Sequence, residues 1–251
     1  MSDVATKLKT ATAPPAIVFD DVWKYYPMYQ HITGGIKLFL INLPSAIKKL
    51  RAGRFYALKG LSFEVSKGEV VGIYGPNGAG KSTALSLIAG VMRPSNGRIK
   101  VSGRVAPLLE LGAGFQHDLT GRENVVLNGV LLGMTRAEVQ SQMDSIIAFA
   151  DLGEFIDQPI RTYSSGMMAR LGFAVAVHTN PDILLVDEIL AVGDESFQKK
   201  CYAKMAEFKR GGVTIVLVSH DRATMERFCD RIIEVAEGRF VRSVDYHRVD
   251  E

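Results

Sequence analysis

Cysteine is nearly absent from this chain: Cys201 and Cys229 are the two in 251 residues. They stand far apart and form no CxxC pair, which argues against a disulfide framework or a zinc site and fits a reducing compartment. Long apolar runs are missing as well. The oiliest segment, Ile36 to Ile47, is broken by Asn42, Pro44 and Ser45, so no stretch suits a membrane-spanning helix. The N-terminus through Asp21 has no apolar h-region, so a secretory signal is not expected. Work at a membrane would run through its surface or through a partner. No internal repeat or low-complexity block is seen, and residues 1–15, polar and rich in Ala, Thr and Pro, read as a mobile tail.

Acidic residues are lacking in one region. None occurs from Val22 to Phe63, while Lys24, Lys37, Lys48, Lys49, Arg51, Arg54 and Lys59 are all basic. The net charge of only +3 carries no general nucleic-acid footprint, yet this stretch favours an anionic neighbour. It includes an insert, residues 27–55, that reads as short amphipathic helices. Such a segment suits a membrane surface or a lipid diphosphate, and equally a solvated loop on the core.

What is present is an ordinary globular balance, 47% hydrophobic and 23% charged, at a length that can bury a core unaided. Ala16–Val22 and Phe55–Val65 read as strands. Val70–Tyr74, Ile183–Val186 and Thr214–Val218 are short, β-branched apolar runs of the kind found in buried parallel strands. Residues 98–112 read as a further strand, 121–160 and Ser164–Val177 as helical, and Ile232–Val235 with Arg239–Val244 as a closing pair. Strands alternating with helices around a helical middle predict an α/β core with an inserted helical subdomain, at about 113–165.

Gly75-Pro76-Asn77-Gly78-Ala79-Gly80-Lys81-Ser82-Thr83 matches G-x-x-x-x-G-K-[ST] between a strand and a helix. The glycines let the backbone curl until several N–H groups face one anion, and the following helix adds its positive end. Lys81 suits the β- and γ-phosphates, Ser82 a magnesium ion, and Thr83 the α-phosphate. Alone, this loop also fits a kinase or a GTPase. Ile183 to Val186 runs into Asp187 and Glu188 at a strand end, where nucleotide sites form in such sheets. Asp187 is placed to hold magnesium, and Glu188 to polarise the attacking water as a general base. His220, after the strand Thr214–Val218, can donate to the γ-phosphate.

Tyr163-Ser164-Ser165-Gly166-Met167 resembles the signature of the ABC transporter ATPases, LSGGQ before a helix. Ser164 and Gly166 match it; Tyr163, Ser165 and Met167 depart from it. The resemblance covers about residues 16–240. It implies a P-loop NTPase core (ABC ATPase) with an antiparallel β subdomain and an inserted helical subdomain. It further implies ATP and Mg2+, and a head-to-tail homodimer in which Ser164, Ser165 and Gly166 complete the other subunit's site. Ala191-Val192-Gly193-Asp194 falls where the family's D-loop lies at the dimer seam. Tyr26 falls at the adenine-stacking position, with Tyr25 and Tyr56 as rivals. The family's magnesium-reading glutamine has no direct counterpart: Glu110 lies nearest its spacing and, as a carboxylate that can also bind magnesium, is expected to take its place, with Gln116, the glutamine close by, as its rival.

Leu109–Phe115, Leu119–Asn124, Pro159–Met167 and Phe197–Cys201 resemble one branch closely: the ATPases that export O-antigen, capsule or teichoic acid. That branch implies a separate multi-spanning membrane permease, a cargo glycan on undecaprenyl diphosphate, and a peripheral place on the cytoplasmic face of the inner membrane, with no nucleic acid involved. Because the sequence stops at Glu251, soon after the closing strands, a carbohydrate-binding domain is not expected, nor recognition of a glycan end-cap by this subunit. A soluble ABC ATPase acting on DNA or ribosomes would carry two cassettes or a coiled-coil insert, and a metabolite kinase would have no use for the signature.

Overall fold

The computed structural model describes residues 15–27, 53–109, 111–112, 114–187, 193–219 and 221–246. The strands are β1 (Pro15–Pro27), β2 (Arg54–Ser66), β3 (Val70–Tyr74), β4 (Asn96–Val101), β5 (Val105–Leu108), β6 (Ile183–Asp187), β7 (Thr214–Val218), β8 (Arg231–Ala236) and β9 (Arg239–Asp245). The α-helices are α1 (Lys81–Ile88), α2 (Gly121–Leu131), α3 (Arg136–Ala150), α4 (Ser165–Val177), α5 (Glu195–Arg210) and α6 (Arg222–Phe228).

Two sheets result. β2, β1 and β4 form an antiparallel sheet in that order, and β5-β6-β7-β3-β8-β9 form a second sheet, parallel except for the β8–β9 hairpin. The central strands are apolar on both faces because both faces are covered. On one side, Ile17, Phe19, Leu58, Leu61 and Val65 of the antiparallel sheet share a core with Leu85 and Ile88 of α1 and with Ile73, Val216 and Val218. On the other, Phe173 of α4, Phe197, Cys201, Met205 and Phe208 of α5, and Met225 of α6 pack on Leu184, Leu217 and Ile232. A third core joins α2, α3 and α4 through Val125, Val139, Met143, Ile146, Leu171 and Val175. The helix α4 thus belongs to two cores, its Phe173, Ala176 and Val177 facing the sheet and its Leu171, Ala174 and Val175 facing the other helices.

Two local readings are corrected, and two helices are added. The strand expected over 98–112 is two strands in different sheets. They are parted at Gly103, whose φ of +121° and contact with the Asp182 side chain suit a residue without a Cβ, and Arg104 N–H donates to Asp182 Oδ2 at 2.7 Å. The helical stretch 121–160 is two helices and a 3-10 turn (Gly153–Asp157). The break comes at Gly133, with a φ of +89°, and Thr120/Glu123 and Thr135/Glu138 each close a capping box that starts a helix afresh. The helices α5 and α6 are the added elements. Of the tail expected at residues 1–15 and the insert expected at residues 27–55, residues 1–14 and 28–52 lie outside the described residues. Among the described residues, no helix is long and apolar enough to cross a membrane.

Candidate functional site

The phosphate loop joins β3 to α1, and its shape is forced by its neighbours. A Cβ on Gly75 would lie 2.0 Å from Val235 O, so nothing larger than glycine fits there. Gly80 has a φ of +100° and would bring a Cβ 2.6 Å from Ala57 O. The loop is pinned from outside: Gly238 N–H donates to Ala79 O at 3.1 Å, and Lys59 N–H to Gly238 O at 2.7 Å. Gly80 caps α1 with no side-chain hydrogen bond, which leaves the first-turn N–H groups and the positive helix end facing the loop. The Lys81 side chain is buried and folds over the loop, its Nζ donating to Gly75 O at 2.8 Å and Pro76 O at 3.1 Å. An ammonium held by two carbonyls beside unclaimed amides makes a cradle for a polyanion.

The parallel register carries the remaining site elements to the same edge. Asp187 at the end of β6 stands opposite Val218 of β7, and Val218 stands opposite Ile73 of β3, beside the start of the loop. Ser82 Oγ reaches Asp187 Oδ2 at 3.5 Å across those elements. A hydroxyl and a carboxylate so placed are hard oxygen donors of the kind magnesium takes. Glu188 follows Asp187 directly, and His220 follows β7 by one intervening residue; both, like Glu110, lie outside the described residues.

Tyr26 is more than a third exposed, near the end of β1, where its Oη donates to Met92 Sδ at 3.3 Å and Lys24 Nζ lies 5.4 Å from its ring centre. Its rival Tyr25 has the Arg54 guanidinium over its ring at 4.4 Å, and Tyr56 packs edgewise near Trp23 with centroids 6.2 Å apart.

Ser164 caps α4: its Oγ accepts the Met167 N–H at 3.2 Å, and the helix N-terminus it forms with Ser165 and Gly166 is exposed at the two serines and half-buried at the glycine. The cap and an anion-binding role are compatible, since the other first-turn amides remain directed outward. Tyr163, which departs from the signature pattern, is an anchor. It is buried, its Oη donates to Phe155 O at 2.6 Å, and that same Oη fills the space over Gly121, where a Cβ would lie 2.1 Å from it. Burial pushes its phenol pKa up.

A further hub went unread in the sequence. Asn124 is fully buried; its Oδ1 accepts Gln116 N–H at 2.7 Å, and its Nδ2 donates to Gln116 O, Leu119 O and Thr120 O at 3.0, 3.1 and 2.9 Å. The segment it organises is tied to the approach to Ser164 by Ile160 N–H to Leu119 O at 2.9 Å, Arg161 N–H to His117 O at 3.0 Å and the Arg161–Asp118 ion pair at 2.9 Å. The Gln116 side chain itself is exposed. Upstream, α4 lies directly on the 111–112 backbone: a Cβ on Gly172 would come within 2.7 Å of Gly112 N. The backbone just after Glu110 and the signature helix are therefore in physical contact. The available signal was the T-x-x-E spacing at Thr120, which marks a helix start; the Asn124 contacts required the fold.

The profile of the ABC transporter family matches residues 58–191, which take in the phosphate loop, the signature and Asp187. The chain belongs to that family. It is an ATP-binding cassette ATPase. The O-antigen export system ATP-binding protein RfbB of Klebsiella pneumoniae is 52% identical to this cassette over 225 residues, 90% of this chain and 92% of that one. The teichoic acids export ATP-binding protein TagH of Lactococcus lactis is 50% identical over 184 residues, 73% of this chain and 39% of its own longer one. Among solved structures, the dimeric post-hydrolysis state of the ATP-binding cassette MJ0796 with ADP and Pi aligns at a TM-score of 0.72 and 24% identity, covering 92% of this chain and 99% of that one, which establishes the fold.

Proposed function

We propose that this cassette is the ATP-hydrolysing subunit of an exporter that moves lipid-linked polysaccharide of the O-antigen type across the bacterial inner membrane. The observation that carries this reading is its likeness to RfbB across nearly the full length of both chains. The subunit works as a homodimer on the cytoplasmic face, docked on a separate multi-spanning permease, and the permease carries the undecaprenyl-diphosphate-linked glycan. Export of teichoic acid is the second reading, favoured by the TagH likeness.

The chemistry follows from the loop. Lys81 exchanges the Gly75 and Pro76 carbonyls, which it holds in the structure, for the β- and γ-phosphates of ATP. The α1 amides take up the remaining phosphate charge. Ser82 and Asp187 would hold Mg2+, which supplies charge neutralisation on the phosphate oxygens. Glu188 accepts the proton of the attacking water, and His220 donates to the γ-phosphate. Ser164, Ser165 and Gly166 of the second copy close over the same phosphate, so each site needs both copies. Tyr26 stacks on the adenine, and Glu110, at the entry to the helical subdomain (about 113–165), would help hold the magnesium ion. The basic residues of 27–55 suit an anionic lipid surface.

The test is removal of the chain from its own cell. Lipid-linked glycan should build up on the cytoplasmic side and surface glycan should vanish; wild type should restore it and Lys81→Ala should not. The identity of the stranded glycan separates O-antigen from teichoic acid. Unchanged surface glycan in the deletion would overturn the reading.

A further inference from the structure

Arg170 lies in the second turn of α4, just beyond the signature residues, and it joins three elements. Its stem packs against the turn before α5: a Cβ on Gly193 would sit 3.4 Å from Arg170 Cγ and 3.3 Å from Phe197 Cβ. Its guanidinium covers the Phe197 ring, with Cζ 5.0 Å from the centroid. Its Nη2 donates at 3.2 Å to Asp151 Oδ2, at the left-handed C-terminal cap of α3, and the same carboxylate oxygen takes Lys200 of α5 at 3.3 Å. Asp194 in turn caps α5 by accepting Phe197 N–H at 2.9 Å and Ser196 Oγ–H at 2.6 Å. Those two bonds, with a smaller contribution from the Arg170 charge, hold its carboxyl below the usual range.

Stability does not explain this arrangement. Asp151 is largely exposed, so its ion pairs contribute little. Arg170 Nε is the buried side-chain polar atom that lacks a hydrogen-bond partner among the described residues, which costs the fold stability. What the side chain provides is geometry. A planar guanidinium can lay its face over Phe197 while an edge N–H points at Asp151, which fixes its orientation; a lysine ammonium is a point charge with no plane to fix.

We propose that Arg170 is a positioning residue for ATP hydrolysis. It locks the Gly193–Asp194 turn to the signature N-terminus at Ser164–Gly166, so that both present themselves to the second copy as one edge. This rests on the shared-site homodimer proposed above. Asp151 is the fixed point of the lock, and Phe197 is its platform. Loss of the lock leaves each monomer able to bind nucleotide at its own phosphate loop but poorly able to close on its partner.

The experiment uses Arg170→Lys and Asp151→Asn, each in the wild-type and in the Glu188→Gln background. Monomer affinity for a fluorescent ATP analogue, ATP-driven dimerisation by sedimentation, kcat and Tm are measured. Nucleotide affinity should stay within about twofold and Tm within a few degrees, while kcat falls and the dimer dissociation constant rises by about tenfold for Arg170→Lys and less for Asp151→Asn. Asp151 is a surface residue, so its variant should fold even if the arginine variant does not. Wild-type kcat and dimerisation in both variants would overturn the inference. So would a loss of monomer nucleotide affinity in step with Tm, which would mark a purely structural role. If the Glu188→Gln parent does not dimerise with ATP, the shared-site reading itself fails and takes this inference with it. If the parent dimerises and the variants match it, the inference alone fails.

Discussion

Replacing Asn124 with alanine tests how the helical region is held. Four hydrogen bonds are lost, yet three of the abandoned carbonyls keep another donor. Gln116 O keeps Leu119 N–H at 3.1 Å, Leu119 O keeps Ile160 N–H at 2.9 Å, and Thr120 O keeps the Asn124 backbone N–H at 2.9 Å. The group left without its acceptor is the Gln116 N–H. That N–H is part-buried, so leaving it without an acceptor costs within the range of about 1–3 kcal/mol. The void left by a side chain that is wholly buried adds about 1 kcal/mol. The expected total is about 3 kcal/mol, and at about 3 °C per kcal/mol for a chain of this length the melting temperature should drop on the order of 10 °C. Asn124→Asp keeps the acceptor for Gln116 but turns a carboxylate toward three carbonyls, so it should do no better. Calorimetry of the nucleotide-free protein checks this. A melting temperature for Asn124→Ala within about 2 °C of wild type would refute the reasoning.

Two further predictions concern titratable groups. Burial lowers the His178 pKa below its ordinary 6.5, opposed by the hydrogen bond to Ala174 O and by Glu207, and reinforced by Lys204. The unfolded chain therefore binds more protons as pH falls through 6.5, so stability present above that pH declines below it. In urea titrations from about pH 7.5 to 5.5, His178→Gln should show a shallower loss than wild type, and superimposable slopes would contradict this. Burial pushes the Cys201 thiol up to about 12. Iodoacetamide at about pH 8 should leave Cys201 unmodified in the native protein and label it fully in guanidinium, as read by mass spectrometry; native labelling at the rate of a free thiol would count against the fold.

Much of the fold and site was legible because the nucleotide-binding elements are locally encoded. Val70–Tyr74, Ile183–Asp187 and Thr214–Val218 each pair a buried strand with polar chemistry at its end, and the parallel register sets those ends side by side. The helix α5 also carried a signal in Phe197, Cys201, Met205 and Phe208, spaced as one helical face, but the charged residues between them obscured it. The break at Gly103 was less visible, because it depends on Asp182, distant in sequence. Tyr163 was legible as a departure from the signature but not as an anchor, since its partner is the Phe155 carbonyl and the space over Gly121. Asn124 and Arg170 act through contacts among separate elements, and no spacing rule marks them.

The central claim is that each ATP site is shared between two copies, and complementation in mixed dimers tests it most directly. Lys81→Ala removes the phosphate-loop cation and Gly166→Asp sets a carboxylate at the signature N-terminus; each homodimer should be inactive. In the mixed dimer one site unites an intact phosphate loop with an intact signature, and the other carries both lesions. Mixing the two inactive proteins should restore ATP hydrolysis to about a quarter of the wild-type rate per chain. No activity in the mixture, with both variants folded and associating, would contradict a shared site.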